Sequence, residues 1–220
     1  MDLRKITFLL IVSSIASLFM RTIGTLFPII FQNVYVVKVT IVVNTFFILV
    51  HFLFYVYFLR EYAANRQQTL RIGSVLAIIG TFFLAFIYIK NFCLVFELDI
   101  IPLSLMNHHF DAILPVASSS LYLLFFGIFK KVQSQKEYRM LDQPISLAIM
   151  GISIFIVLHL IVLINFLKSH KFNWLEHMPR NIAVGTIPFI VFAAIFILYF
   201  YIKFYEFLCF YGNRSLKVHS

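Results

Sequence analysis

The chain has 220 residues, of which 62% are hydrophobic and only 12% charged, and its mean hydropathy is +0.95. A soluble domain carries about 25% charged residues, and a core this apolar leaves too little polar surface to cover itself, so a soluble globular fold is excluded and lipid is the expected solvent. The net charge of +9 does not point to nucleic acid, because the Lys and Arg residues gather in short stretches between apolar runs, as they do in oriented membrane proteins.

A helix needs about 20 apolar residues to cross the hydrocarbon core. Six runs meet that length. Residues 6–30 form the first, interrupted by Arg21, and residues 34–59 the second, with Asn44 and His51 inside it. Residues 72–94 form the third. The fourth, 105–129, is polar where it starts, at His108, His109 and Asp111. Residues 145–167 form the fifth, around His159, and residues 182–202 the sixth, followed by an aromatic tail to Tyr211. Lys203-Phe204-Tyr205-Glu206 and the aromatics after it look like an inner interfacial belt. The connecting segments are short and carry the charges, so none holds a second domain. The expected fold is all-α: a polytopic membrane helix bundle of six transmembrane helices, with residues 1–220 as a single integral membrane domain.

Orientation is read from the basic residues. With a cytoplasmic N-terminus, the inner side holds Arg4, Lys5, Arg60, Arg66, Arg71, Lys130, Lys131, Lys136, Arg139, Lys203, Arg214 and Lys217. The outer side holds Arg21, Lys38, Lys90, Lys168, Lys171 and Arg180. The bias predicts both termini in the cytoplasm and a multi-pass protein of the cell (plasma or inner) membrane. Asn213-Arg214-Ser215 fits the N-glycosylation pattern but falls on the inner side, where it is not used. Arg4 and Lys5 before an apolar run also resemble a signal-peptide opening, without a clean cleavage site. Cys93 and Cys209 fall on opposite sides, which argues against a bridge between them.

Two five-residue stretches match: Leu76-Ala77-Ile78-Ile79-Gly80 in the third run and Leu147-Ala148-Ile149-Met150-Gly151 in the fifth. Prolines stand near the outer ends of the following runs, at Pro115 and Pro188. Three repeated hairpins would produce this pattern, and so would chance similarity between apolar helices.

Ionisable groups within a membrane are costly and often functional. Arg21, Asn44, His51 and His159 are the candidate binding residues on that ground, His51 in the inner half and His159 near mid-span. The bland alternatives are a snorkelling arginine and histidines hydrogen-bonded across helices, with Asn44 or Asn165 as partners. Arg21 also has Asp111 and Glu97 as candidate ion-pair partners. Facing histidines suit haem when their depths match, but His51 and His159 differ in depth. His108, His109, Asp111 and His177 share the outer side and are the candidate metal ligands, since imidazole and carboxylate suit zinc, copper or iron. No strong ligand spacing joins them, so a wetted helix mouth explains them as well, and no cofactor is assigned.

Walker A, GxSxG, GxGxxG and HExxH signatures are missing. The sequence therefore points first to a non-enzymatic sensing, regulatory or scaffolding membrane component, with the bilayer and a membrane or cytoplasmic protein as partners. The alternatives are a small transporter or channel subunit with a midplane polar site, and a metalloenzyme or redox protein using the outer His/Asp cluster.

Overall fold

The computed structural model describes residues 2–27, 33–64, 67–98, 108–134, 139–169 and 180–218. These form six long helices and no strand. The helices are α1 (Leu3–Leu26), α2 (Val34–Tyr57), α3 (Gln68–Val95), α4 (His108–Ser134), α5 (Asp142–Ser169) and α6 (Arg180–Val218). A π-helical segment, Phe58–Ala63, extends α2, and a short 3-10 turn, Arg139–Leu141, leads into α5. Each long helix contains a stretch apolar and long enough to cross a membrane, the shortest being Leu3–Ile23 with 21 residues. At 1.5 Å per residue that stretch is about 31 Å long, close to the thickness of the hydrocarbon core. The protein is thus a multi-pass membrane protein.

Several helix boundaries have clear local causes. Asp2 caps α1, its carboxylate accepting from Lys5 N at 2.8 Å. That bond holds the Asp2 carboxyl below its ordinary range. The next free amide, Leu3 N, donates to Glu61 Oε2 of the π-helical segment at 2.8 Å. A carboxylate from one element therefore neutralises the exposed amide end of another. The sequence expectation carried the first span to residue 30, but α1 stops at Leu26 with Phe27 as its C-cap. Pro28 follows, and the residue before a proline is pushed out of the helical region. Asn33 then caps α2 through Tyr35 N. At its other end, α3 closes on Phe96. Glu97 adopts a positive φ of 53° and Leu98 N bonds back to Cys93 O at 2.9 Å, the left-handed closure usually given to glycine.

Each helix packs on its sequence neighbours, and α6 returns to pack on α1, so the six form a closed ring. With an even number of crossings, both termini lie at one end, called here the terminal end. Two glycines set the tightest approaches. A Cβ on Gly80 would lie 3.2 Å from Ser118 O of α4, and one on Gly151 only 2.6 Å from Ala193 O of α6. These are the last residues of the two matching five-residue stretches. Both serve the same purpose, bringing the helix into backbone contact with the next one.

The core is concentrated toward the terminal end. Phe54, Phe58, Phe125, Phe129, Phe200 and Phe204 are almost wholly buried there, with ring centres 5.4–6.3 Å apart in mostly edge-to-face pairs. Aromatic pairs favour that geometry. The π-helical segment assists by turning Phe58 and Tyr62 inward while Arg60 and Glu61 stay at the surface. The sequence expectation placed Phe204 and the aromatics after it in an interfacial belt beyond a span ending at residue 202. Instead α6 runs on to Val218, and Phe204 and Phe207 are buried, packed on Tyr62. Other phenylalanines, among them Phe8, Phe19, Phe82 and Phe192, face outward, as expected where the solvent is lipid.

Candidate functional site

The ring encloses a chamber of about 320 Å³ to which all six helices contribute. Its walls are mostly apolar: Phe47, Leu84, Ile87, Phe126, Phe155 and Ile197 are representative. The aromatic plug lies beyond it toward the terminal end. Against the apolar walls stand polar groups arranged by depth. The Asn44-to-Tyr55 stretch of α2 spans about 16 Å at helical rise, which sets the scale of the site.

At the end away from the termini stands Arg21, exposed and lining the chamber. Its guanidinium donates to the Tyr88 hydroxyl of α3. Arg21 Nε also reaches Asn44 Oδ1 at 3.4 Å, and Ser17 Oγ donates to the same oxygen at 2.6 Å. Asn44 thus sits behind the wall and ties α1 to α2. Deeper in, His159 Nδ1 is 3.1 Å from Ser119 Oγ of α4. The ring of His159 lies parallel to Phe155. Pro115, which removes one backbone hydrogen bond from α4, is also in the wall.

The floor, about a turn further in, is built of rings. His51 stacks on Phe47 and Tyr122, with centres 5.5 and 5.3 Å away, and meets Tyr201 edge-on. Its Nε2 shares a hydrogen bond of 2.7 Å with Tyr201 Oη. Tyr122 Oη is paired with Thr81 Oγ1 at 2.8 Å. His51 Nδ1, buried, has no hydrogen-bond partner, and Tyr55 Oη, also buried, makes none of good geometry beside the Tyr201 hydroxyl.

Three of the four residues singled out as binding candidates, Arg21, His51 and His159, therefore line one chamber, and the fourth, Asn44, holds two of its wall groups. The histidine partners are the hydroxyls of Tyr201 and Ser119, where the sequence had offered Asn44 and Asn165. Sequence reasoning missed Tyr55, Tyr88, Tyr122, Tyr201 and Ser119. The available signal was tyrosine in mid-span, since a phenolic hydroxyl within a membrane must find a partner.

The outer His/Asp group is described only at Asp111. Both of its carboxylate oxygens lie 2.5 Å from Lys90 Nζ, in an ion pair between α3 and α4. The side chains of His108 and His109, and the whole of His177, lie outside the described residues. Among the described residues no three His, Cys, Asp or Glu side chains gather in a metal-binding arrangement.

Chemically, the chamber offers an apolar enclosure with one cation at its open end and neutral hydrogen-bonding groups along its depth. A largely apolar pocket with a few convergent polar groups is the usual form of a small-molecule site. None of the family models, curated proteins or solved structures compared with the chain matches it, so the functional reading rests on this geometry.

Proposed function

We propose that this protein is a non-catalytic membrane component that binds a mainly apolar small molecule inside its ring of helices, in a sensing or regulatory role. The observation that supports it is the chamber of about 320 Å³ lined from all six helices, with Arg21 at one end and the aromatic plug at the other. An apolar body would occupy the walls, and a polar or anionic head would sit against the Arg21 guanidinium. The sixfold lining suits a sensing role, because a bound molecule touches every helix and shifts whatever equilibrium they share. The basic bias of the connecting segments supports an orientation with both termini in the cytoplasm, and hence a mouth on the outer side of the cell membrane.

A transporter is the second reading, favoured by the position of the chamber midway along the helices, where transporter sites lie. It requires the plug to open, which a binding protein does not.

Native mass spectrometry of the purified protein in lipid nanodiscs tests the reading. The wild type is expected to carry a distinct apolar molecule at near-stoichiometric occupancy. Ala194→Phe, which places a ring in the chamber, is expected to lose it while keeping the wild-type unfolding temperature. Equal amounts of bulk lipid on both proteins, and nothing else, would overturn it.

A further inference from the structure

The chamber floor holds two polar atoms that the protein leaves unused. His51 is 8% exposed and Tyr55 0%. Both line the chamber; His51 Nδ1 has no hydrogen-bond partner, and Tyr55 Oη makes no hydrogen bond of good geometry, facing the Tyr201 hydroxyl that is already bonded to His51 Nε2. Burying such groups without partners is costly. The surroundings show that the protein has satisfied comparable groups close by. Tyr201 Oη bonds His51 Nε2, Tyr122 Oη bonds Thr81, and Ser119 Oγ bonds His159. The two residues are neighbours on one face of α2, four residues apart, and their rings are in contact with centres 5.0 Å apart.

We infer that this pair is a recognition subsite for a neutral hydroxyl group at the inner end of the bound molecule. The inference rests on the chamber being a binding site and adds the chemistry of its floor. Charge argues for neutrality. The described chamber lining contains one charged residue, Arg21, whose partner Asn44 stands seven residues before His51 on α2, and no acid. An anion at the floor would have no cation and a cation no anion, and unpaired charge is not tolerated at that depth. Hydrogen-bonding capacity argues for a hydroxyl. Which nitrogen of His51 carries the proton depends on how the bond to Tyr201 is shared. A hydroxyl both donates and accepts, so it pairs with Nδ1 in either tautomer and uses its other capacity on Tyr55 Oη. A carbonyl accepts only and fits one tautomer.

The test uses two small photoprobes on the full chain in nanodiscs: trifluoromethyl-diazirinyl benzyl alcohol, and the same ring with methyl in place of the hydroxymethyl group. Adducts are mapped by peptide mass spectrometry, and affinity is read from labelling against concentration. Wild type is expected to bind the alcohol about tenfold more tightly than the methyl compound, the value of one hydrogen bond to a buried partner, with adducts on floor residues. In Tyr55→Phe and in His51→Phe, the preference is expected to fall toward unity while the methyl probe still labels the chamber. That retained labelling shows that the variants are folded. Equal binding of both probes by wild type would overturn the subsite, assign the two atoms to water and leave the chamber reading intact. Labelling of the chamber by neither probe would overturn both.

Discussion

Lys90→Met is expected to destabilise the protein by about 3 kcal/mol, because removing one member of a buried ion pair takes from the other the cation that contacts both of its oxygens. Lys90 is 2% exposed and Asp111 11%, so neither head group snorkels freely to water, and the ammonium contacts both carboxylate oxygens. Asp111→Leu is expected to cost a similar amount by leaving the ammonium buried. The double variant Lys90→Met/Asp111→Leu removes both charges and fills the same space with apolar atoms, and replacing a buried pair in this way is often neutral. It is expected to lie within about 1 kcal/mol of wild type, which makes the coupling between the sites roughly 3 kcal/mol or more.

Cys93, one turn from Lys90 on α3 and buried, supplies the assay. In a Cys209→Ser background, a thiol-reactive fluorophore reports unfolding in detergent as Cys93 becomes accessible. For a chain of this length, 3 kcal/mol corresponds to a fall of about 6–12 °C in the unfolding midpoint. Single variants within about 3 °C of wild type, or a double variant as damaged as either single one, would refute the reasoning and assign the pair to a solvated surface.

The remaining predictions concern packing, caps and pH. Gly151→Ala is expected to cost about 1–3 kcal/mol by forcing α5 off Ala193 O, whereas Gly127→Ala, whose Cβ meets nothing within 4 Å, should be neutral or stabilising by about 0.5 kcal/mol. The same thiol assay compares them, and equal effects would sink the close-approach argument. Glu97→Gly should stabilise by several tenths of a kcal/mol, because φ of 53° suits glycine; a loss of stability would show that the Glu97 side chain contributes more than its backbone strain costs. Asp2→Ala should matter only above the titration range of Asp2. The folded-state carboxyl is lowered from its ordinary 3.8, so the cap contributes fully above that value and is lost as pH falls through the folded one. A wild-type advantage unchanged on acidification would contradict this.

Much of the fold was legible because the bilayer imposes a simple rule: lengths of apolar sequence count crossings. All six were readable, and their ends were misplaced where local chemistry intervened. Pro28 cut α1 short, and the π-helical segment carried α2 past residue 59. The aromatic continuation of α6 was read as interface because phenylalanine serves lipid and core equally, so composition does not distinguish Phe204, which is buried, from Phe210, which is exposed. The site was legible in part for a different reason. Polar residues are rare in the spans, so Arg21, Asn44, His51 and His159 stood out individually. Their convergence did not, because it depends on closure of the ring between α1 and α6, a contact between the two ends of the chain that no local pattern encodes.

That closure also explains how the membrane tolerates so many polar groups in one place. Each hydroxyl or ring nitrogen that bonds across the ring does so with a different helix: Ser17 with Asn44, Thr81 with Tyr122, Ser119 with His159, and His51 with Tyr201. These bonds tie α1 to α2, α3 to α4, α4 to α5 and α2 to α6. The last crosses between helices that are not neighbours in the ring, at the level where the chamber ends and the plug begins. His51 therefore joins, at the chamber floor, two helices that are not ring neighbours. Tyr201 in turn meets the Phe54 ring edge-on at 5.2 Å. Packed aromatic contacts thus join the chamber floor to the core at the terminal end, so the polar floor and the apolar core are one continuous packing unit.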